Sequence, residues 1–381
     1  MSPRGQVVPA EQPAEGPGVV DWSTALRVAE WLVSRRPPPP SYRLDAVQAD
    51  FDRATAEAEE MVAEATGWRS PLGAARGRVT DRAGWTRANV ASIRRLLEPT
   101  LQRVAERRAQ SSFALPSWAP ARLAGAGRSV SGAQLGAVLA WMSTRVLGQY
   151  DLLITDSVTE DQDVVYYVGP NVVAMEERYD FPPEQFRLWL ALHEVTHRCQ
   201  FTAVPWLRDH FLSLIDQGLE PLGSDPRRLL DGLRRAAVEI RAGRSPLEDV
   251  GMIGLVATPE QLQVLHRIQA LMSLLEGHGD VTMDRAGAAL VPEAARFSRV
   301  LRERRQQARG AARVLQQVLG LEAKLRQYAE GEAFIEAVEE MGGPVLLDRA
   351  WQGPDWLPSL EEIRDPERWV ARVGDPPAAT G

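Results

Sequence analysis

The residues best suited to chemistry lie in the segment LWLALHEVTHRCQF, where His193, Glu194 and His197 form the pattern HExxH. Two imidazoles four residues apart lie on one face of an α-helix, so both can bind the same metal ion. A glutamate beside the first imidazole can reach a water on that metal and take its proton. The pattern predicts a zinc (Zn²⁺) site with His193 and His197 as ligands and Glu194 as the catalytic base. The alternative is an amphipathic helix that carries two surface histidines.

A catalytic zinc ion needs a third protein ligand, with water in the fourth position. The extended pattern HExxHxxGxxH is absent, because Gln200 and Ala203 stand at its two further positions. In LMSLLEGHGDVTMDRAG, Glu276 and Asp280 are four residues apart, which places both carboxylates on one helix face. This spacing resembles the ExxxD element of the thermolysin-like gluzincins. The resemblance implies that Glu276 completes the metal site and that Asp280 bonds to a ligating histidine.

Two histidines compete with Glu276 for the third ligand position. His278 should face elsewhere on a continuous helix, but an end of the helix at Gly277 would turn this imidazole inward and give a three-histidine site. His210 is the other candidate. Glu276 is favoured because an apolar-periodic helix leads into it, in which Gly277 and Gly279 would allow a close approach to the HExxH helix. By residue type alone, the candidates for stabilising an oxyanion in the transition state are His278, His210, Arg326 and Tyr328.

A wider resemblance is carried by five strings along the chain: YYVGPNVVAMEERY, HEVTHRCQFTAVPWLRDH, SLLEGHGDVTMD, GLEAKLRQYAEGEAFI and WQGPDWLPSLEEI. They resemble the actinobacterial zincin-like metallopeptidase family, whose members are described as hydrolases and associated with the biosynthesis of a deazaflavin coenzyme. The resemblance covers the chain from about residue 19 to about residue 370. It implies a zincin-like metallopeptidase fold but names no substrate, so function has to be argued from the site.

The composition limits the classes of function. The 381 residues are 44% hydrophobic and 25% charged, enough for a substantial core in one large or two modest domains. A formal net charge of −7, without a run of Lys or Arg, argues against nucleic-acid binding. No apolar run approaches the roughly 20 residues that span a bilayer, so no membrane partner is expected. Cys199 is the single cysteine, which excludes an internal disulfide and favours a reducing, cytoplasmic location.

Sequence patterns along the rest of the chain indicate the elements that position these residues. They predict an α+β, predominantly helical fold with a small β-sheet before the HExxH helix. Asp21 is expected to cap a first helix, the prolines 37–40 to stop it, and Gly67 to end a second helix. The short runs DLLIT, DVVYYVG and NVVAMEERY are β-rich. NVVAMEERY is the candidate for an edge strand that pairs with an extended substrate, and the alternative is a core sheet that touches no substrate. From Pro205 onward the chain is predicted to be helical.

We expect four regions along the chain. They are a disordered N-terminal extension (1–18), an N-terminal helical region (19–130), a zincin-like catalytic domain (131–370) and a flexible tail (371–381). The main boundary is placed in a stretch rich in Pro, Gly, Ala and Ser. Near the end, Trp351, Trp356 and Trp369 are expected to hold the C-terminal segment against the core.

Two classes of function agree with these residues. The first is a zinc hydrolase, either a peptidase or an amidase, that acts on a peptide or a small amide such as a glutamyl amide. The second is a catalytically inactive scaffold or binding protein that the metal stabilises. A structural zinc ion is satisfied by its ligands alone, so a scaffold has no physical need for Glu194. This residue therefore favours the enzyme.

Overall fold

The computed structural model describes residues 20–110, 121–150, 163–219, 259–306 and 321–374. The strands are β1 (Arg76–Thr80), β2 (Gly148–Tyr150) and β3 (Val164–Val168). The helices are α1 (Trp22–Ser34), α2 (Leu44–Thr66), α3 (Arg82–Gln110), α4 (Ala121–Ser143), α5 (Gly169–Tyr179), α6 (Pro183–Ala203), α7 (Leu207–Leu219), α8 (Pro259–Gly287), α9 (Ala294–Gln306), α10 (Leu321–Leu347), α11 (Leu360–Arg364) and α12 (Pro366–Gly374). The predicted α+β, predominantly helical fold class is confirmed.

The first two helices begin and end at the residues that the sequence indicates. Asp21 caps α1, and its carboxylate accepts the backbone N–H of Thr24 at 2.8 Å. The helix ends at Ser34, just before the four prolines. Gly67 ends α2 in the left-handed conformation, with φ at 72°, and donates its N–H to the carbonyl of Ala63. These capping predictions are confirmed.

The sheet has the strand order β1-β3-β2, so β3 is the central strand. β1 runs parallel to β3, with Arg76 opposite Val164, and β2 runs antiparallel to it, with Gly148 opposite Tyr167. All five residues of β3 are buried, which agrees with the prediction of a strand at DVVYYVG. The run DLLIT lies outside the described residues.

The prediction of an edge strand at NVVAMEERY is wrong, because these residues belong to α5. Pro170 stands in the first turn, where its fixed φ suits a helix. Val172, Val173 and Glu176 are buried at helical spacing, and Glu176 accepts two hydrogen bonds from Arg187 of α6 at 2.7 and 2.8 Å. Tertiary contact outweighs the β-propensity of the two valines here.

The expected regions differ from the elements at two places. Residue 130 lies inside α4, and β1, from the region before this boundary, pairs with β3 from the region after it. α12 continues to Gly374 and buries Val373, so residues 371–374 of the expected tail are helical. The N-terminal extension and residues 375–381 lie outside the described residues. The division of the chain into four regions stays a prediction.

The motif helix α6 is buried along most of its length and forms the centre of the main core. It packs against α2, α8 and the sheet. Its alternating apolar residues Phe186, Leu188, Leu190 and Leu192 are all buried. In the part of the chain that the structure describes, no helix has the length and apolar character needed to cross a membrane.

The C-terminal segment packs on a second core that α8 and α10 share. Trp369 is fully buried, contacts Phe334, and donates its indole N–H to the carbonyl of Trp356 at 2.8 Å. Trp351 and Trp356 are half-buried against the same core. These contacts hold α12 against α10, as expected for large apolar side chains.

Helices α8 and α10 approach each other closely where two glycines meet. A Cβ built on Gly331 would lie 1.9 Å from the carbonyl oxygen of Ser273, and one built on Gly277 would lie 2.3 Å from the carbonyl carbon of Gly331. Gly277 therefore faces α10, and the expectation that it faces the HExxH helix is wrong. Gly279 does face that helix, because its Cβ would lie 3.4 Å from Cε1 of His197.

Replacing Gly331 by alanine is expected to lower the free energy of unfolding by about 1–3 kcal/mol, the usual cost of overpacking. The added methyl group would push α8 and α10 apart. Urea unfolding measures the change. Gly127 is the matched control, because it is a helical glycine whose Cβ would meet no atom within 4 Å. Gly127→Ala should raise stability by up to about 1 kcal/mol through helix propensity. Equal stabilisation by both substitutions would contradict the close helix contact.

Candidate metal centre

The structure brings His193, His197 and Glu276 together. One candidate ligand atom from each of these residues lies within 4.8 Å of the other two. The Nε2 atoms of the two histidines are 3.2 Å apart. Oε2 of Glu276 lies 3.9 Å from Nε2 of His193 and 3.6 Å from Nε2 of His197. The histidines come from consecutive turns of α6, and the glutamate comes from the middle of α8. This is the trio that the sequence predicts as metal ligands.

The three candidate ligands differ in their access to solvent. The side chains of His193 and His197 are 21% and 15% exposed, whereas that of Glu276 is 6% exposed. The cluster therefore has a closed side formed by α8 and an accessible side at the imidazoles. A catalytic metal site requires such an accessible side, because a position must stay open to water or substrate.

Two imidazole nitrogens and one carboxylate oxygen form a donor set that suits zinc. Gly279 borders the same space, because its missing side chain leaves room beside both imidazoles. The residues present thus fit a zinc ion in chemistry and in the space available to it.

Glu194 follows the first imidazole and is buried against β2. Its Oε2 accepts the backbone N–H of Tyr150 at 3.0 Å. A Cβ on Gly148 would lie 2.7 Å from both Cγ and Oε1 of Glu194, so the carboxylate needs glycine at this position of the strand. Neither Gly148 nor Tyr150 was singled out in the sequence, because a three-residue strand leaves almost no pattern.

Asp280 lies one turn beyond Glu276 on α8, with its Oδ1 atom 3.9 Å from Nδ1 of His193. This distance is longer than a hydrogen bond. The aspartate nevertheless stands behind the first imidazole, on the side away from Nε2. The predicted pairing of Asp280 with a ligating histidine is therefore with His193, and it stays a prediction.

Gln200 contacts the second imidazole and was not predicted as a site residue. Its Oε1 lies 2.8 Å from Nδ1 of His197, and its Nε2 lies 2.8 Å from the carbonyl oxygen of Leu275 and 3.1 Å from Nδ1 of His278. The spacing contained a usable signal, because Gln200 stands three residues after His197 and so shares its helix face. Carboxylates and backbone carbonyls commonly orient metal-ligating imidazoles, and the amide oxygen of Gln200 is an acceptor of the same kind.

His278 does not belong to the three-residue cluster. α8 continues as a helix to Gly287, so the alternative in which Gly277 ends the helix and turns this imidazole inward is wrong. The ring stacks on Trp68, with centroids 4.8 Å apart, and meets Trp351 edge-on at 5.0 Å. Burial, aided by the charge of His197, lowers the pKa of His278 to about 3, so this imidazole is neutral at physiological pH.

Of the other candidates for stabilising an oxyanion, the structure describes only the side chain of His210, and it does not bring this residue to the cluster. His210 lies on α7 against Trp206, in a separate cavity of about 370 Å³ that Arg267 also lines. The side chains of Arg326 and Tyr328 lie outside the described residues. The role of His278 as a transition-state stabiliser stays a prediction.

The charge of Glu276 controls the protonation of His197. Burial by itself would lower the pKa of this imidazole, but the negative carboxylate of Glu276, 3.6 Å from Nε2, outweighs burial and raises the pKa to about 9. The raised pKa favours a protonated His197 at neutral pH when no cation is bound. A metal ion would displace that proton and take over its interaction with the carboxylate.

A buried arginine next to His197 anchors the motif helix. Arg198 is fully buried, and its guanidinium donates to Asp163 at 2.9 and 2.6 Å and to Glu59 of α2 at 2.8 Å. Asp163 directly precedes β3. Cys199 is also buried, and burial raises the pKa of its thiol to about 11.

A helix that carries HExxH, joined by a carboxylate from a second helix on a mostly helical scaffold, defines a protein of the zincin-like class. The chain belongs to the zincin-like metallopeptidase family, whose sequence pattern matches residues 20–370. It is also similar to a protein of known crystal structure from Chloroflexus aurantiacus, described as "a putative hydrolase with a novel fold". The two share 30% identity over 93% of this chain and 99% of the other, with a TM-score of 0.66. A comparison with curated proteins gave no match.

Proposed function

We propose that this protein is a zinc-dependent hydrolase that cleaves peptide or amide bonds. The observation that carries the proposal is the convergence of His193, His197 and Glu276 within 4.8 Å, with Glu194 of α6 hydrogen-bonded to β2. Family membership and the similarity to a protein described as a hydrolase support it. In this proposal the first three residues hold zinc and Glu194 is the general base.

Bound at the cluster, zinc would polarise a substrate carbonyl and lower the pKa of a water molecule toward neutrality. The protein's own contribution is the placement of the proton acceptor. One oxygen of Glu194 accepts the N–H of Tyr150, which fixes the carboxylate beside the cluster, where it would take the proton of the attacking water. The same carboxyl group can then give that proton to the leaving amine.

The position of β2 favours an extended substrate. Val168 donates its N–H to the carbonyl of Leu147, so residues 147 and 149 bond toward β3, while Gly148 and Tyr150 turn their backbone groups to the opposite side. That outer side is where Glu194 lies. A peptide backbone laid along β2 would therefore pass the catalytic base, which is why we place substrate binding here rather than at NVVAMEERY.

Three further parts of the proposal rest on the sequence. The substrate is a peptide or a small amide, with nucleic acid and membrane excluded as partners by charge and by the lack of long apolar runs. A cytoplasmic location is proposed from the single cysteine. The link to deazaflavin coenzyme biosynthesis is proposed from the family resemblance alone, and it would make a glutamyl amide a suitable small substrate.

A catalytically inactive scaffold is the alternative. Such a protein would bind the metal with the same three residues but would gain nothing from Glu194. The carboxylate lies in a space that requires glycine at position 148, and this arrangement supports a role beyond structure.

The test combines metal analysis with a search for activity. The purified protein is expected to carry about one zinc ion per chain. It should hydrolyse members of a peptide library or of a panel of amide metabolites, lose that activity with a chelator, and regain it with added zinc. Zinc retention without hydrolysis of any compound would favour the scaffold, and a protein that binds no zinc would refute both.

A further inference from the structure

Gln200 is fully buried on α6 and connects two imidazoles to the backbone of α8. Its amide group meets Nδ1 of His197 on one side and both Nδ1 of His278 and the carbonyl of Leu275 on the other. Leu275 directly precedes Glu276 in the sequence. One side chain thus links the helix that carries the two candidate histidine ligands to the turn that carries the candidate carboxylate ligand.

The carbonyl of Leu275 determines which way the amide of Gln200 points. A backbone carbonyl only accepts hydrogen bonds, so the group 2.8 Å from it has to be the NH₂ of the amide. The amide oxygen consequently faces His197. Because that oxygen also only accepts, Nδ1 of His197 carries a proton.

The same orientation of the Gln200 amide determines which ring nitrogen of His278 carries the proton. The NH₂ group of Gln200 faces Nδ1 of His278 at 3.1 Å, so this nitrogen has to be the acceptor. In the neutral His278 ring the proton is therefore on Nε2. The neutral His197 ring is the opposite tautomer, with its proton on Nδ1 and a lone pair on Nε2. This Nε2 atom faces His193 and Glu276.

We propose that Gln200 is a positioning residue of the metal site, which holds His197 with its Nε2 lone pair toward the metal position and His278 as an Nε2–H donor. The proposal rests on the proposed function, because it concerns the same site. Partners that orient metal-ligating imidazoles contribute about 10–100-fold to metal affinity. Gln200 would supply this contribution for His197, as Asp280 is predicted to do for His193.

Three variants of α6 separate the parts of this arrangement. Gln200→Leu keeps the volume and removes every hydrogen bond. Gln200→Glu, as a neutral carboxylic acid, keeps an acceptor toward His197 and donates its one hydrogen to the carbonyl of Leu275, so it has no hydrogen left for His278. Thr196→Val is the matched control, because the Thr196 hydroxyl is buried on the same helix and donates to the carbonyl of Leu192 within that helix.

Two measurements follow. Zinc affinity should fall about 10–100-fold in Gln200→Leu and change by less than about threefold in Gln200→Glu and in Thr196→Val. Long-range ¹H–¹⁵N spectra of the metal-free protein, labelled at its five histidine rings, report the tautomer of each ring. A His278→Phe variant assigns the signal. We expect His278 to be protonated at Nε2 in the parent and at Nδ1 in Gln200→Glu.

The outcomes distinguish this inference from the proposed function. A parent protein whose His278 carries its proton on Nδ1 would overturn the inference, as would a Gln200→Leu variant that binds zinc as tightly as the parent. If the parent binds no zinc, the proposed function fails. The tautomers of His278 in the metal-free parent and in Gln200→Glu then decide by themselves whether Gln200 orients the rings. These spectra also give an answer if Gln200→Leu does not fold.

Discussion

Glu276→Ala is expected to reduce zinc affinity by roughly two to three orders of magnitude. A four-ligand zinc site is worth about 10–16 kcal/mol, or roughly 2.5–4 kcal/mol for each ligand, and each 1.4 kcal/mol is a factor of ten. The carboxylate is 6% exposed and lies within 4 Å of both imidazole Nε2 atoms, so water replaces it poorly. Competition with a chromophoric chelator measures the change.

Two other substitutions serve as controls for this prediction. His210→Ala should leave zinc affinity unchanged, because His210 lies on α7 in a separate cavity. His278→Ala should cost less than about tenfold, since His278 lies outside the three-residue cluster and is hydrogen-bonded to Gln200. Loss of zinc in His278→Ala together with its retention in Glu276→Ala would show that the site is a three-histidine one.

Glu194→Gln is expected to reduce the rate of hydrolysis by about 10²–10⁴, the usual contribution of a general base. An amide cannot take the proton of the attacking water, but its oxygen can still accept the N–H of Tyr150 and so keep the side chain in place. Zinc content and the unfolding midpoint should therefore match those of the parent. Steady-state rates on any substrate found for the parent test the prediction.

The comparison needs a variant with the same change of charge elsewhere. Glu303 is exposed on α9, and Glu303→Gln should leave the rate unchanged. If Glu194→Gln were as active as the parent, Glu194 would not be the general base. If it lost zinc as well as activity, the residue would act through the metal site and not as a proton acceptor.

The sequence by itself determined the features that depend on spacing along one helix. His193 and His197 share a face of α6, and Glu276 and Asp280 share a face of α8, because the helical period places residues four apart side by side. The caps at Asp21 and Gly67 follow from local backbone chemistry in the same way. The family resemblance and the predominantly helical fold class also came from sequence alone.

Only the tertiary structure decided how the two helices meet. Glu276 and His197 are far apart in the chain, so their contact depends on the fold. Because α8 continues as a helix past Gly277, His278 does not turn toward the metal position. The contact of Gln200 with Leu275 likewise joins two helices whose relative placement has no signal in local spacing. Packing at the glycine contact with α10 sets where α8 lies.

The sheet is where sequence patterns misled most. NVVAMEERY has valines that favour strands, yet it is helical because Pro170 suits a first turn and Glu176 pairs with Arg187. The strand beside Glu194 is instead Gly148–Tyr150, three residues long. Such a strand is held by pairing with β3 and by the N–H of Tyr150 on Glu194, and both partners are brought to it only by the folded chain.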